Sequence, residues 1–158
     1  MNKNIKYLIE DIVNFNPADY SNDEDNIIDN NTITNLIFKY FPKTTDELRE
    51  IIAIKLKENP KNPYLKDIDT SEIVYMNSLF EYETEIKRLD LSTWNTCNVI
   101  DMHSMFESCS SLEELDVSNW DTTNVTDMES MFNDCYRLKK LNLSNWNTFN
   151  VQSMSHMF

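Results

Sequence analysis

Apolar positions in the C-terminal part of the chain recur every 26 residues. Leu89, Leu115 and Leu141 keep that step, and so do Trp94, Trp120 and Trp146. Met102, Met128 and Met154 follow it, as do Met105, Met131 and Met157, and Phe106, Phe132 and Phe158. A fixed period in this range marks a repeat architecture, in which each unit buries its apolar face only against its neighbours.

Each unit combines two shorter periods. In LEELDVSNW, from Leu112 to Trp120, Leu115 and Val117 alternate with Asp116 and Ser118. That is a strand period, with Leu115 and Val117 turned inward. In the segment Asn124 to Cys135, the residues Met128, Met131, Phe132 and Cys135 stand at i, i+3, i+4 and i+7. That spacing predicts one stripe of a short α-helix, with Thr126 or Asp127 placed to cap its first turn. Parallel strands side by side, with helices on the other face, follow as the expected arrangement. An altered unit precedes the clear ones. Met76 and Phe80 match Met102 and Phe106, while Pro63, Ile68 and Glu83 replace the expected Leu, Trp and Cys. Glu83 is expected to leave the last turn of that unit open to water.

The first 60 residues lack the repeat and read as helical. Residues 4–15 carry Ile5, Leu8, Ile9, Ile12 and Val13 on one helical face. Residues 18–31 are acidic and Asn-rich, a loop by composition, and residues 32–41 are expected to be a second helix. Thr44 to Glu47 form a capping box for a third, with Leu48, Ile51, Ile52 and Leu56 as its apolar stripe and Asn59-Pro60 as its stop. The domain reading is a helical N-terminal cap over 1–60 and a repeat region over 61–158, with units at about 63–88 (altered), 89–114, 115–140 and 141–158 (incomplete). The cap is expected to bury the open apolar end of the first unit. The last unit stops at Phe158 without such cover. An open strand edge beside an open apolar end predicts self-association through that uncapped C-terminal end.

The unit V-T-D-M-x-x-M-F-x-x-C-x-x-L-x-x-L-x-L-S-x-W resembles the cysteine-containing class of leucine-rich repeats. More closely, LDVSNWDTTNVTDMESMF resembles the 26-residue repeat of the BspA-like bacterial surface proteins. The resemblance covers about Pro63 to Phe158. It implies an α/β leucine-rich-repeat solenoid, with another right-handed β-solenoid as the alternative. It also implies surface adhesion or host contact.

Composition narrows the functions. The formal net charge is -13, and residues 61–158 are the more acidic part, with 16 acidic against 7 basic side chains. That balance argues against nucleic acid, which is bound by Lys and Arg neutralising phosphates, and against anionic membrane surfaces. The chain has no glycine, which excludes the P-loop, the dinucleotide fingerprint and the nucleophile elbow. No run of 18 apolar residues exists, so no membrane insertion is expected. The N-terminus has no signal core, because Glu10 and Asp11 interrupt it. Localisation therefore reads two ways: cell surface by resemblance, cytoplasmic by the missing signal.

Candidate chemistry is sparse. Cys97, His103 and Cys109 form C-x5-H-x5-C, but the repeat turns Cys109 inward while His103 falls on a variable position shared with Glu129 and Ser155. They are read as a buried thiol and a surface histidine rather than a zinc or nucleophile set. The acidic stretch Asp19 to Asp29 lacks the glycine and terminal Glu of a calcium loop. No catalytic group, cofactor or metal site is expected. The tryptophans are read as packing residues, although a ladder of exposed aromatics for carbohydrate is the other option. The candidate binding face is the exposed side of the strands: Arg88, Asp90 and Ser92; Glu114, Asp116 and Ser118; Lys140, Asn142 and Ser144. Strands about 4.8 Å apart would join these into one concave polar patch. The expected function is a non-enzymatic protein- or glycan-binding module, adhesin-like by resemblance, with an intracellular scaffold or adaptor as the alternative.

Overall fold

Thr44 starts the helix that its capping box predicts. In the computed structural model, which describes residues 41–158, Thr44 Oγ1 accepts from the Glu47 amide at 3.2 Å. Glu47 reaches back one residue further than the motif requires, accepting from the Lys43 amide at 2.7 Å. Helix α1 spans Thr45–Glu58 and ends where the Asn59 amide donates to the Lys55 carbonyl. Its stripe of Leu48, Ile51, Ile52 and Leu56 is buried, as the spacing predicts. The stripe joins Leu65, Ile68 and Ile73 in one apolar core that runs on through the repeats. Burying each such side chain stabilises by about 1.5–3 kcal/mol. Lys55 is buried beside them, its ammonium 2.7 Å from Asp67. The expected elements over 4–15, 18–31 and 32–41 lie outside the described residues, except for Phe41, which is not helical.

The strands are β1 (Arg88–Asp90), β2 (Glu114–Asp116) and β3 (Lys140–Leu141), in a parallel sheet of order β1-β2-β3. The described chain is thus mixed α/β, with one helix and three strands. The register follows the sequence period: Leu89 pairs with Leu115, and Leu115 with Leu141. A second column of parallel bridges joins Tyr75, Asp101, Asp127 and Ser153, again in steps of 26.

The short helix expected in each unit is not there. Residues 102–109 and 128–135 are turns, and their amides divide into two sets. The amides of Met102, Ser104, Phe106 and Ser108 donate to carbonyls of the next unit, on Asp127, Glu129, Met131 and Asn133, at 2.8–3.0 Å. Those of Met105, Glu107 and Cys109 close turns on the carbonyl three residues back, at 3.1–3.3 Å. A helix needs every interior amide for the carbonyl four residues back, and half are spent across units here. The alternation requires left-handed backbone at Ser104 (φ 52°), Ser108 (φ 59°), Ser130 (φ 54°) and Asp134 (φ 60°). Even so, of the predicted inward residues Met128, Met131 and Phe132 are buried, and Cys135 is half-buried. Met102, Met105, Phe106 and Cys109 are fully buried.

The aromatics form stacks along the repeat. Phe80, Phe106, Phe132 and Phe158 follow one another at centroid distances of 5.4, 5.7 and 5.5 Å. Trp94 and Trp120 are buried, so the packing reading holds for them. Each donates its Nε1–H at 3.0 Å to a carbonyl of the preceding unit, on Leu65 and Leu91 respectively. Trp146 is half-buried and lies 6.2 Å from Trp120, with the ring planes 3° apart.

Candidate functional site

The register places the nine strand-face residues in columns. Arg88, Glu114 and Lys140 are direct cross-strand partners. Lys140 Nζ donates to Glu114 Oε1 at 2.7 Å, and Arg88 Nε lies 3.7 Å from Oε2. The Lys140 hydrogen bond, with Arg88 adding its charge, holds the Glu114 carboxyl below the usual carboxylate range. Beside this column, Lys139 Nζ lies 3.3 Å from Glu113 Oε2. The charges therefore alternate in sign from one strand to the next.

Asp90 and Asp116 form the next column. Asp90 Oδ1 accepts from the Ser92 amide at 3.2 Å and from its hydroxyl at 2.7 Å. Asp116 repeats both bonds with Ser118, at 3.1 and 2.6 Å. Asn142 accepts from the Ser144 amide at 3.0 Å. Such side-chain turns stop a strand by offering the backbone a local partner. Partial burial pushes the Asp90 carboxyl up, but the Lys66 ammonium and both Ser92 donors outweigh it and hold it below its ordinary value. These six residues therefore serve the turns, while Arg88, Glu114 and Lys140 carry the chemistry that changes from unit to unit.

The structure does not bring Cys97, His103 and Cys109 together as a ligand set. Cys109 is buried and its Sγ–H donates to the Phe80 carbonyl at 3.0 Å. Burial pushes its thiol well above the ordinary range, and raises that of Cys135 to about 11. All three cysteines are free. His103 is half-exposed, with Nδ1 2.8 Å from Asp101 Oδ1. Asp101, His103 and Asp127 bring one donor atom each within 4.8 Å of one another, a grouping that the sequence reading did not single out. Both carboxylates close turns there, Asp101 on the His103 amide at 2.9 Å and Asp127 on the Glu129 amide at 2.8 Å. Glu83, expected to stand open to water, is half-buried. Burial first and Glu85 second push its carboxyl up.

Two ladders were missed. The hydroxyls of buried Thr70, Thr96 and Thr122 donate at 2.9, 2.9 and 3.1 Å to carbonyls of the next unit. Asn98, Asn124 and Asn150 donate their Nδ2–H at 2.8, 2.8 and 2.7 Å to carbonyls of the preceding unit. The signal was in view as T-x-N-V, which recurs at Thr96, Thr122 and Thr148.

Residues 52–158 match the family described as "Mycoplasma protein of unknown function, DUF285". The chain belongs to that family. DUF285 thus takes in the second half of α1, all three strands and every repeat unit. No curated protein and no solved structure matches the chain. Among the described residues of this DUF285 chain, no helix is long and apolar enough to cross a membrane.

Proposed function

We propose that the chain is a non-enzymatic binding module of the bacterial cell surface: a solenoid of 26-residue coils, with α1 against its first coil, that recognises a protein or a glycan through the strand face. The observation that carries this reading is the Arg88–Glu114–Lys140 column. Its backbone and flanking turns are constant, yet its charge changes at every unit, which is how a repeat surface acquires specificity. The similarity to BspA-like leucine-rich-repeat proteins supports the surface placement. Units built from turns rather than helices favour the alternative coil, a β-solenoid without helices. The raised Cys109 and Cys135 thiols support the non-enzymatic reading, since the thiolate is the nucleophile.

A second reading, an intracellular scaffold with the same face, is favoured by the three free thiols, because reducing compartments keep cysteines unpaired. Fractionation of native cells with protease shaving separates the two. Binding itself is tested on a glycan array and by pull-down from host-cell extract, with wild type beside an Arg88→Ala/Glu114→Ala variant. The variant should keep its circular dichroism and lose the partner. A folded variant that retains every partner would remove the strand face from consideration.

A further inference from the structure

The second column of bridges sets like charges side by side. Asp101 and Asp127 are parallel partners in it, one unit apart. Carboxylates placed directly opposite each other destabilise a strand pair. Elsewhere the chain neutralises such groups itself: Asp90 and Glu114 on the strand face, and Glu113 beside it, each meet a lysine. Among the described residues, no lysine or arginine pairs with Asp101 or Asp127. The group that joins them is an imidazole.

His103 stands two residues after Asp101, a spacing that returns a side chain to the same face of an extended backbone. Its Nδ1 lies 2.8 Å from Asp101 Oδ1. One donor atom from each of Asp101, His103 and Asp127 falls within 4.8 Å of the other two. An ion with bonds of about 2.1 Å holds its ligands at most about 4.2 Å apart, so a shift of about 0.6 Å or less closes the widest pair. The carboxylates are already placed. Asp101 Oδ1 accepts from the His103 amide and Asp127 Oδ1 from the Glu129 amide, while each Oδ2 accepts no hydrogen bond among the described residues. All three residues are half-buried, which restricts their side chains and leaves one side open to an entering ion.

The donor set selects the ion. An imidazole nitrogen beside two carboxylate oxygens suits zinc and its first-row neighbours, whereas calcium and magnesium take oxygen alone. The set belongs to one junction. The other units carry Asn77, Glu129 and Ser155 in the His103 column, and Tyr75 and Ser153 in the aspartate column.

We infer that Asp101, His103 and Asp127 form a binding site for one divalent transition-metal ion of the zinc type. The ion ties the unit at 89–114 to the unit at 115–140 and neutralises the facing carboxylates. Three protein ligands leave the fourth position to water. Glu129, beside His103 in the following unit, already accepts from the Ser153 hydroxyl at 3.1 Å. The site uses the second column of bridges rather than the strand face, so it stands apart from the function proposed above.

The experiment is a calorimetric titration of the 158-residue chain with zinc chloride. Wild type should take one equivalent with a Kd on the order of 10 μM. His103→Ser copies Ser155, and Asp127→Asn can still close the turn on the Glu129 amide, so both variants should keep their circular dichroism. Each should bind zinc at least about tenfold more weakly, and His156→Ala should bind as wild type does. Calcium at about 1 mM should not displace the zinc. Cys97, a half-exposed thiol, is the competing donor, and Cys97→Ser should leave the affinity unchanged. Proton NMR of wild type needs no variant: Co²⁺ should shift the ring signals of His103 and spare those of His156. The inference is overturned by no binding up to about 1 mM, by affinity that survives both ligand substitutions or falls with Cys97→Ser, by displacement with calcium, or by equal Co²⁺ shifts on both rings.

Discussion

The ring of Phe106 lies against the ring of Phe80, with centroids 5.4 Å apart and planes 5° from parallel. Phe132 meets its other side at 5.7 Å, and none of the three is appreciably exposed. Removing the middle ring leaves a cavity open to two neighbours. Phe106→Ala should cost about 3–5 kcal/mol in urea unfolding. Phe106→Leu, which refills most of the space, should cost under about 2 kcal/mol. Equal losses for the two would mean that the stack does not form in solution.

The indole ladder predicts a difference between two identical substitutions. Trp120 Nε1–H donates to the buried Leu91 carbonyl at 3.0 Å, whereas Trp146 Nε1 has no partner among the described residues. Trp120→Phe should therefore cost more than Trp146→Phe, by about 1–3 kcal/mol, because it orphans an acceptor. Thermal melts of the two variants check this, and the reverse order would contradict it.

Acid should act on two carboxylates in opposite directions. The Glu114 carboxyl is held low in the fold by Lys140 and Arg88. Its contribution is complete above the unfolded value of about 4.3 and is lost as pH falls through the lower folded value. The Glu83 carboxyl is held high by burial and by Glu85. Its fold is favoured below about 4.3, and that advantage is lost as pH rises through the raised folded value. At pH 7, Glu83→Gln should raise Tm and Glu114→Gln should lower it. Both differences should shrink as pH falls below about 4.3.

Left-handed backbone at Ser104 has a side chain where glycine would fit without strain. Ser104→Gly relieves the Cβ clash but loosens the unfolded chain. The net gain should be about 0.5–1 kcal/mol. Ser104→Val should destabilise by more than about 1 kcal/mol, because a β-branched residue resists positive φ. Chemical denaturation of both variants measures the pair. If valine were tolerated as well as glycine, the alternating turn geometry would be wrong.

Thiol labelling should proceed in order. Cys97 is half-exposed, Cys135 is half-buried with its thiol raised to about 11, and Cys109 is buried. A disulfide reagent at neutral pH should modify Cys97 first and Cys109 only on unfolding. Mass mapping of timed samples tests the order, and early labelling of Cys109 would place the 102–109 turns outside the core.

The inward residues were legible in the sequence, but the backbone that carries them was not. Met102, Met105, Phe106 and Cys109 read as a helical stripe because turns closing on the third residue back bring the same positions to one side. Periodicity reports which side chains share a face and is silent on where the amides go. Those amides go to the next unit, and the serines and aspartate at positive φ are what permit it. With glycine at those positions the turns would have announced themselves. The strands were clearer, since alternation around Leu89 and Leu115 fixed both face and register. For the candidate face, the sequence located the columns. It could not reveal that Asp90 and Asp116 are occupied by Ser92 and Ser118, because those bonds depend on the turn that follows each strand.

From the strand register that sets Leu89 beside Leu115 to the Asn98, Asn124 and Asn150 ladder, the cross-unit contacts of the repeats join one unit to its immediate neighbour. A single inserted residue would put the bonds that span it out of step, whereas a whole extra unit would leave each bond a partner of the same kind. The gene can therefore lengthen or shorten by in-frame recombination between its own copies at little structural cost. Point insertions within a copy are the changes that selection should remove.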